Sequence, residues 1–187
     1  MPARRLFVAV PVPQTLRDRL AAVGERSILD GARWTAPESL HFTVHFLGRV
    51  EAPPDELAAA LGPVGAAREP FELVLESVHP QPRRRPRMIW AEAAASPPFA
   101  ELAAAVADAL AELAPDAAPP RAGRPHITLA RVRGRLRGEL AVLDGPPAAV
   151  PVDRVELMES ILGPRGSRYE RLASIPFTGR PADSDRD

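Results

Sequence analysis

The chain has 187 residues with 24 basic and 24 acidic side chains, so its formal net charge is zero and no global cationic field exists to hold a polyanion. Hydrophobic residues make up 45% and charged residues 26%, a composition that excludes wholesale disorder. Cysteine is absent and every basic residue is arginine, which excludes disulfides, thiolate chemistry, iron–sulfur clusters, Schiff bases and a lysine-bearing phosphate loop.

Leu6–Val12 is a short apolar, β-branched run and predicts a strand. Its basic, apolar start is like a signal peptide, but it is short, contains Pro11 and leads into charge without a small-residue cleavage site. With no apolar stretch long enough to cross a bilayer, a cytoplasmic protein away from membranes is expected. Leu16, Leu20 and Val23 predict a helix over Thr15–Ser27, with Thr15 as N-cap and Asp18 in the capping-box position. Ser39–Leu47 alternates strictly: Leu40, Phe42, Val44 and Phe46 are apolar, whereas His41, Thr43 and His45 are polar. That pattern predicts a strand with one apolar and one polar face.

Pro54–Ala67 is Ala-rich and helical, with Gly62-Pro63 expected to kink or end it. Phe71–Val78 and Met88–Ala93 predict strands around a loop, His79 to Arg87, that clusters Arg83, Arg84, Arg85 and Arg87. The loop arginines are either a solvated loop or a patch able to track the phosphates of a polyanion, and His79 is expected to be solvated. Phe99, Leu102, Val106, Leu110 and Leu113 mark an amphipathic helix, followed by a Pro-rich connector from Ala114 to Arg124. His126–Ala130 alternates as a strand, and a weak helix is predicted over Leu136–Leu143. Asp153–Leu162 and Arg168–Phe177 read as two strands around the turn Gly163-Pro164-Arg165-Gly166. Residues 180–187 are expected to be a disordered tail after one domain spanning 1–179. This order of elements predicts an α+β fold with antiparallel pairing.

Two segments match: His41-Phe42-Thr43-Val44 and His126-Ile127-Thr128-Leu129, each His-x-Thr-x with apolar residues at x. The chain holds only four His and five Thr, so two such pairings are improbable by chance. On a strand, residues i and i+2 face one side about 6.6 Å apart, so each segment can present an imidazole and a hydroxyl to one small anion. Imidazole titrates near neutrality, and one can donate a proton while the other accepts one; hydroxyls can donate to phosphoryl oxygens. His41 and His45 invite a metal reading, but four residues on a strand span roughly 13 Å, too far for one ion. No metal and no cofactor is called for.

Arg5-Leu-Phe-Val-Ala-Val, Leu40-His-Phe-Thr-Val-His-Phe-Leu-Gly48, Pro125-His-Ile-Thr-Leu-Ala-Arg131 and the late Ser160…Gly166-Ser-Arg-Tyr169 together resemble the bacterial RNA 2',3'-cyclic phosphodiesterases. These are also called 2'-5' RNA ligases, within the two-histidine (2H) phosphoesterase superfamily. The resemblance implies a bilobed α+β fold, with two pseudo-twofold-related antiparallel sheets, outer helices and a central cleft. It implies hydrolysis of RNA 2',3'-cyclic phosphate ends to 2'-phosphates, with His41 as proton donor, His126 as proton acceptor, and Thr43 and Thr128 on the phosphoryl oxygens. Arg131 would add a fixed cation for the substrate, although a regular strand would turn it away from the histidines. Phe7 is a candidate to stack on a terminal base, with core packing the competing reading. The family often has Lys four residues after the first histidine; here it is His45, expected beside the phosphate or a neighbouring nucleotide. The alternatives are 2'-5' RNA ligation by the same groups and a non-catalytic nucleotide- or RNA-binding module. RNA with a cyclic phosphate terminus is the expected partner, and a monomer suffices.

Overall fold

The computed structural model describes residues 2–120, 124–163 and 166–179. The tail at 180–187 and the turn residues Pro164 and Arg165 lie outside the described residues. In chain order the elements are β1 (Arg4–Pro11), α1 (Gln14–Arg26), β2 (Ile28–Trp34), β3 (His41–Val50), α2 (Pro54–Ala66), β4 (Phe71–Gln81) and β5 (Met88–Ala93). They continue with α3 (Pro97–Leu110), β6 (His126–Glu139), β7 (Ala148–Val152), β8 (Arg154–Gly163) and β9 (Gly166–Pro176). Every strand pairing is antiparallel, so the fold is α+β, as predicted.

The strands run in the order β7-β4-β5-β6-β3-β1-β8-β9, with β2 pairing β6 outside this path. The sheet divides into two halves, β7-β4-β5-β6 and β3-β1-β8-β9, that meet at one residue pair, Phe42 opposite Ile127. Both side chains are fully buried in the core. α2 packs on β9 and α3, and α3 packs on β3. Leu57 and Leu61 of α2 and Phe99, Leu102 and Val106 of α3 supply the apolar stripe that covers this part of the sheet.

The two halves share one register. In β1–β3, Val8 faces His45 but Ala9 faces Thr43, so Val44 is an extra, unpaired residue. In β5–β6, Ile89 faces Ala130 but Trp90 faces Thr128, so Leu129 is extra in the same way. Each is a β-bulge at the fourth residue of a His-x-Thr-x segment, and a bulge reverses the in/out phase of the residues beyond it. Consequently His45 is only 4% exposed and sits on the core side, whereas Phe46 is 41% exposed. This corrects the expectation of a polar His45 face; strict alternation holds only up to Val44. The same phase change turns Ala130 inward and Arg131 outward.

Several other expectations are corrected. Residues 136–139 form no helix, because β6 runs on to Glu139 and pairs with β2, a strand the sequence did not announce. Gly138 makes that ribbon feasible: its φ is +104°, and a Cβ there would lie 1.9 Å from the Ile28 carbonyl oxygen. The helix α1 starts at Gln14, and the Pro13 carbonyl, not the Thr15 side chain, receives the Leu16 and Arg17 amides. Proline at this position holds φ near its helical value without any side-chain cap. α2 continues through Pro63 to Ala66. β7 was also unforeseen; it tolerates Pro151 because it is an edge strand, paired only to β4.

Two predictions follow from this packing. A Cβ on Gly65 would meet the Pro176 carbonyl oxygen at 2.5 Å, where α2 abuts the end of β9. Gly65→Ala is therefore expected to cost roughly 1–3 kcal/mol by overpacking, and an unchanged denaturant midpoint would contradict this. Burial lowers the pKa of His45, so the unfolded chain holds its proton more tightly than the fold does. Stability is then complete above the ordinary imidazole value of about 6.5 and declines as pH falls toward the lower folded value. Thermal melts of wild type and His45→Leu across that window should show a shallower acid loss in the variant; parallel curves would exclude His45 as a contributor.

Candidate active site

The pairing of Phe42 with Ile127 decides which side chains meet. Since these two point into the core, their strand neighbours His41, Thr43, His126 and Thr128 project from the opposite face. On that face lies a cavity of about 130 Å³. Its lining includes His41, Thr43, Thr128 and Arg131 from the predicted set, together with Phe7. His126 is not among the lining residues, but its charge is felt at His41, where it lowers the pKa. His45 does not reach the cavity, for the bulge reason given above.

Each motif imidazole is tethered in the same way. His41 Nδ1 donates to the Ser39 carbonyl at 2.7 Å, and His126 Nδ1 donates to the Arg124 carbonyl at 3.1 Å. A carbonyl only accepts, so Nδ1 carries the hydrogen in both rings and Nε2 is the nitrogen that exchanges protons. Each ring also rests on an aromatic neighbour from the adjacent strand. Phe7 of β1 lies 4.9 Å from His41, with Tyr169 of β9 set edge-on to His41 at 5.2 Å. Trp90 of β5 stacks nearly parallel on His126 at 3.6 Å. These contacts restrict ring rotation.

The enclosure of His41 has an electrostatic consequence. Desolvation lowers its pKa most, the Ser39 carbonyl partly offsets this, and His126 adds a smaller lowering. Burial therefore disfavours the charged form of His41, and an anion bound beside it would raise its proton affinity.

Phe7 is 2% exposed and packs between His41, Phe46 and Tyr169, so it forms the floor of the cavity and not an open platform. Arg131 reaches the cavity because the Leu129 bulge reverses its direction. Sequence reasoning missed Phe46, Arg5 and Trp90 as site neighbours. Arg5 sits over the Phe46 ring, its guanidinium carbon 5.0 Å from the centroid. Ser160, Ser167 and Tyr169, from the β8–β9 hairpin, close the cavity. A signal existed for Phe46 and Arg131: both stand five residues after a motif histidine. His79 is not solvated as expected; its Nε2 lies 3.5 Å from Glu92. Among the described residues no group of three His, Asp or Glu side chains is placed to hold a metal ion.

Comparison with known proteins agrees with this architecture. A protein of Methanothermobacter thermautotrophicus named RNA 2',3'-cyclic phosphodiesterase is 30% identical over 176 residues, covering 88% of this chain and 94% of its own length. One of the same name from Archaeoglobus fulgidus is also 30% identical over 176 residues, covering 90% of this chain and 97% of its own. A crystal structure of a Thermus thermophilus protein superposes with a TM-score of 0.80 at 28% identity, covering 94% of this chain and 98% of that one. The family model described as the 2'-5' RNA ligase superfamily matches residues 12–163, and with the relatives it shows that this chain belongs to that superfamily.

Proposed function

We propose that the protein hydrolyses RNA 2',3'-cyclic phosphate ends to 2'-phosphate ends without a metal ion, using His41 and His126 as an acid–base pair. The observation that carries the reading is the side-by-side placement of two His-x-Thr-x segments, each imidazole held with Nε2 as the exchanging nitrogen. The names of the relatives support the substrate class. Mixed arginine, hydroxyl and imidazole groups, without a carboxylate in the cavity lining, suit an anionic phosphodiester.

The steps balance simply. His126 Nε2 takes a proton from water as its oxygen bonds to phosphorus. The bond from phosphorus to the 3' oxygen breaks, and protonated His41 delivers its proton to that oxygen. The products are a 2'-phosphate and a 3'-hydroxyl. Thr43 and Thr128 donate to the non-bridging oxygens as negative charge grows, and the Arg131 guanidinium neutralises it. Trp90 holds the His126 ring in plane, and Phe7 supports His41.

The family to which the chain belongs is named for ligation, which favours a second reading on the same groups. A 5'-hydroxyl replacing water would give a 2'-5' linkage by the same bond exchange. Product analysis with 5'-hydroxyl RNA present separates the two: a 2'-5' junction as main product would displace hydrolysis.

His41→Ala and His126→Ala should each lower kcat by roughly 10²–10⁴ while circular dichroism stays native, and chelator should leave wild-type turnover unchanged. Full activity in both variants would overturn the assignment. As the proton donor, His41 works only when protonated, and burial lowers its pKa. The His41 ring should therefore titrate below the ordinary imidazole value of about 6.5 in an NMR pH series of the free protein; a midpoint above it would show that burial does not govern this imidazole.

A further inference from the structure

We propose that an arginine surface at one end of the sheet binds the single-stranded RNA upstream of the cyclic phosphate. This rests on the reading above that the cavity accepts an RNA 3' end.

The surface has two parts. One is the β2–β6 ribbon, which bears Arg33 on β2 and Arg131, Arg133, Arg135 and Arg137 on β6. The other is the tip of the β4–β5 hairpin, which bears Arg83, Arg84, Arg85 and Arg87. The hydrogen bond from the Val132 amide to the Arg87 carbonyl, at 2.8 Å, sets the two parts side by side. All nine side chains are exposed. Among the described residues none of these nine makes an ion pair with Glu or Asp, a condition that Arg5, Arg17, Arg19 and Arg49 elsewhere share. The acidic neighbours of the ribbon are Asp30, opposite Arg137, and Glu139, at its far end.

Three features point to RNA. Arg131 lines the catalytic cavity, so the surface is continuous with the site and does not lie on a remote face. Arg33 lies directly opposite Arg131 across the strands, a like-charge pairing that disfavours the sheet unless an anion bridges it. The chain is neutral overall, so nine exposed guanidiniums gathered at one end concentrate positive charge there.

The test compares a nucleoside 2',3'-cyclic monophosphate with an oligoribonucleotide of about eight nucleotides ending in the same cyclic nucleotide. Proteins are the wild type, the triple variant Arg133→Ser/Arg135→Ser/Arg137→Ser, and Arg83→Ser/Arg84→Ser/Arg85→Ser. None of these positions lines the cavity. Turnover is measured alongside oligonucleotide binding by fluorescence anisotropy between low and moderate salt. Wild type should bind the oligonucleotide with a steep salt dependence. Each triple variant should lose on the order of tenfold in oligonucleotide affinity, with the salt slope reduced by about 0.7 per phosphate contact removed. Mononucleotide turnover should not change. Equal oligonucleotide binding by wild type and both variants would overturn the proposal, as would parallel loss of mononucleotide turnover. Arginine-dependent oligonucleotide binding without hydrolysis of either substrate would support this surface and overturn the phosphodiesterase reading instead.

Discussion

The arrangement of the site depends on one contact between the two halves of the sheet, the pairing of Phe42 with Ile127. Both side chains are completely buried, and burial of groups of this size stabilises by roughly 1.5–3 kcal/mol each. Anchoring these two residues on the core face leaves the flanking residues of both strands no option but the opposite face. The histidines and threonines are positioned by apolar residues that never touch the cavity. A one-residue slip of either strand at this seam would bury its His and Thr and expose its Phe42 or Ile127, so hydrophobic burial enforces the register of the polar face.

The paired bulges do comparable work one step farther along. By leaving Val44 and Leu129 unpaired, the chain returns its fifth residue after each histidine to the cavity side. In one half that residue is Phe46, in the other Arg131. The same device thus yields different chemistry: an aromatic ring with Arg5 above it on one side, a guanidinium on the other. The bulges also move His45 and Ala130 inward, where only the smaller is cheap to bury; the desolvated His45 favours its neutral form.

Charge is distributed with a comparable asymmetry. A net-neutral chain carries arginines in ion pairs along β8, β9 and near the second motif, where Arg124 meets Glu76 and Glu92. The Arg124 carbonyl simultaneously receives the His126 ring, so the ion pairs on its side chain steady the backbone that orients a site imidazole. Uncompensated arginines gather instead at the end of β6, beyond the cavity.

Much was legible in the chain itself. Alternation identified β3 and the first residues of β6, since a half-buried strand must place apolar groups every second position. Helical periodicity found the three helices to within a few residues. Repetition of His-x-Thr-x, together with the family resemblance, singled out four candidate site residues, of which His41, Thr43 and Thr128 line the cavity. What the sequence could not supply was everything decided by pairing partners. β2 and β7 carry weak local signals and are strands because β6 and β4 offer them hydrogen bonds. The bulges exist only relative to the strand opposite, so the inward turn of His45 and the outward turn of Arg131 have no signature in local alternation. Residue identity determined which chemical groups the protein owns; the backbone ladder, a property of two strands at once, decided which of them face one another.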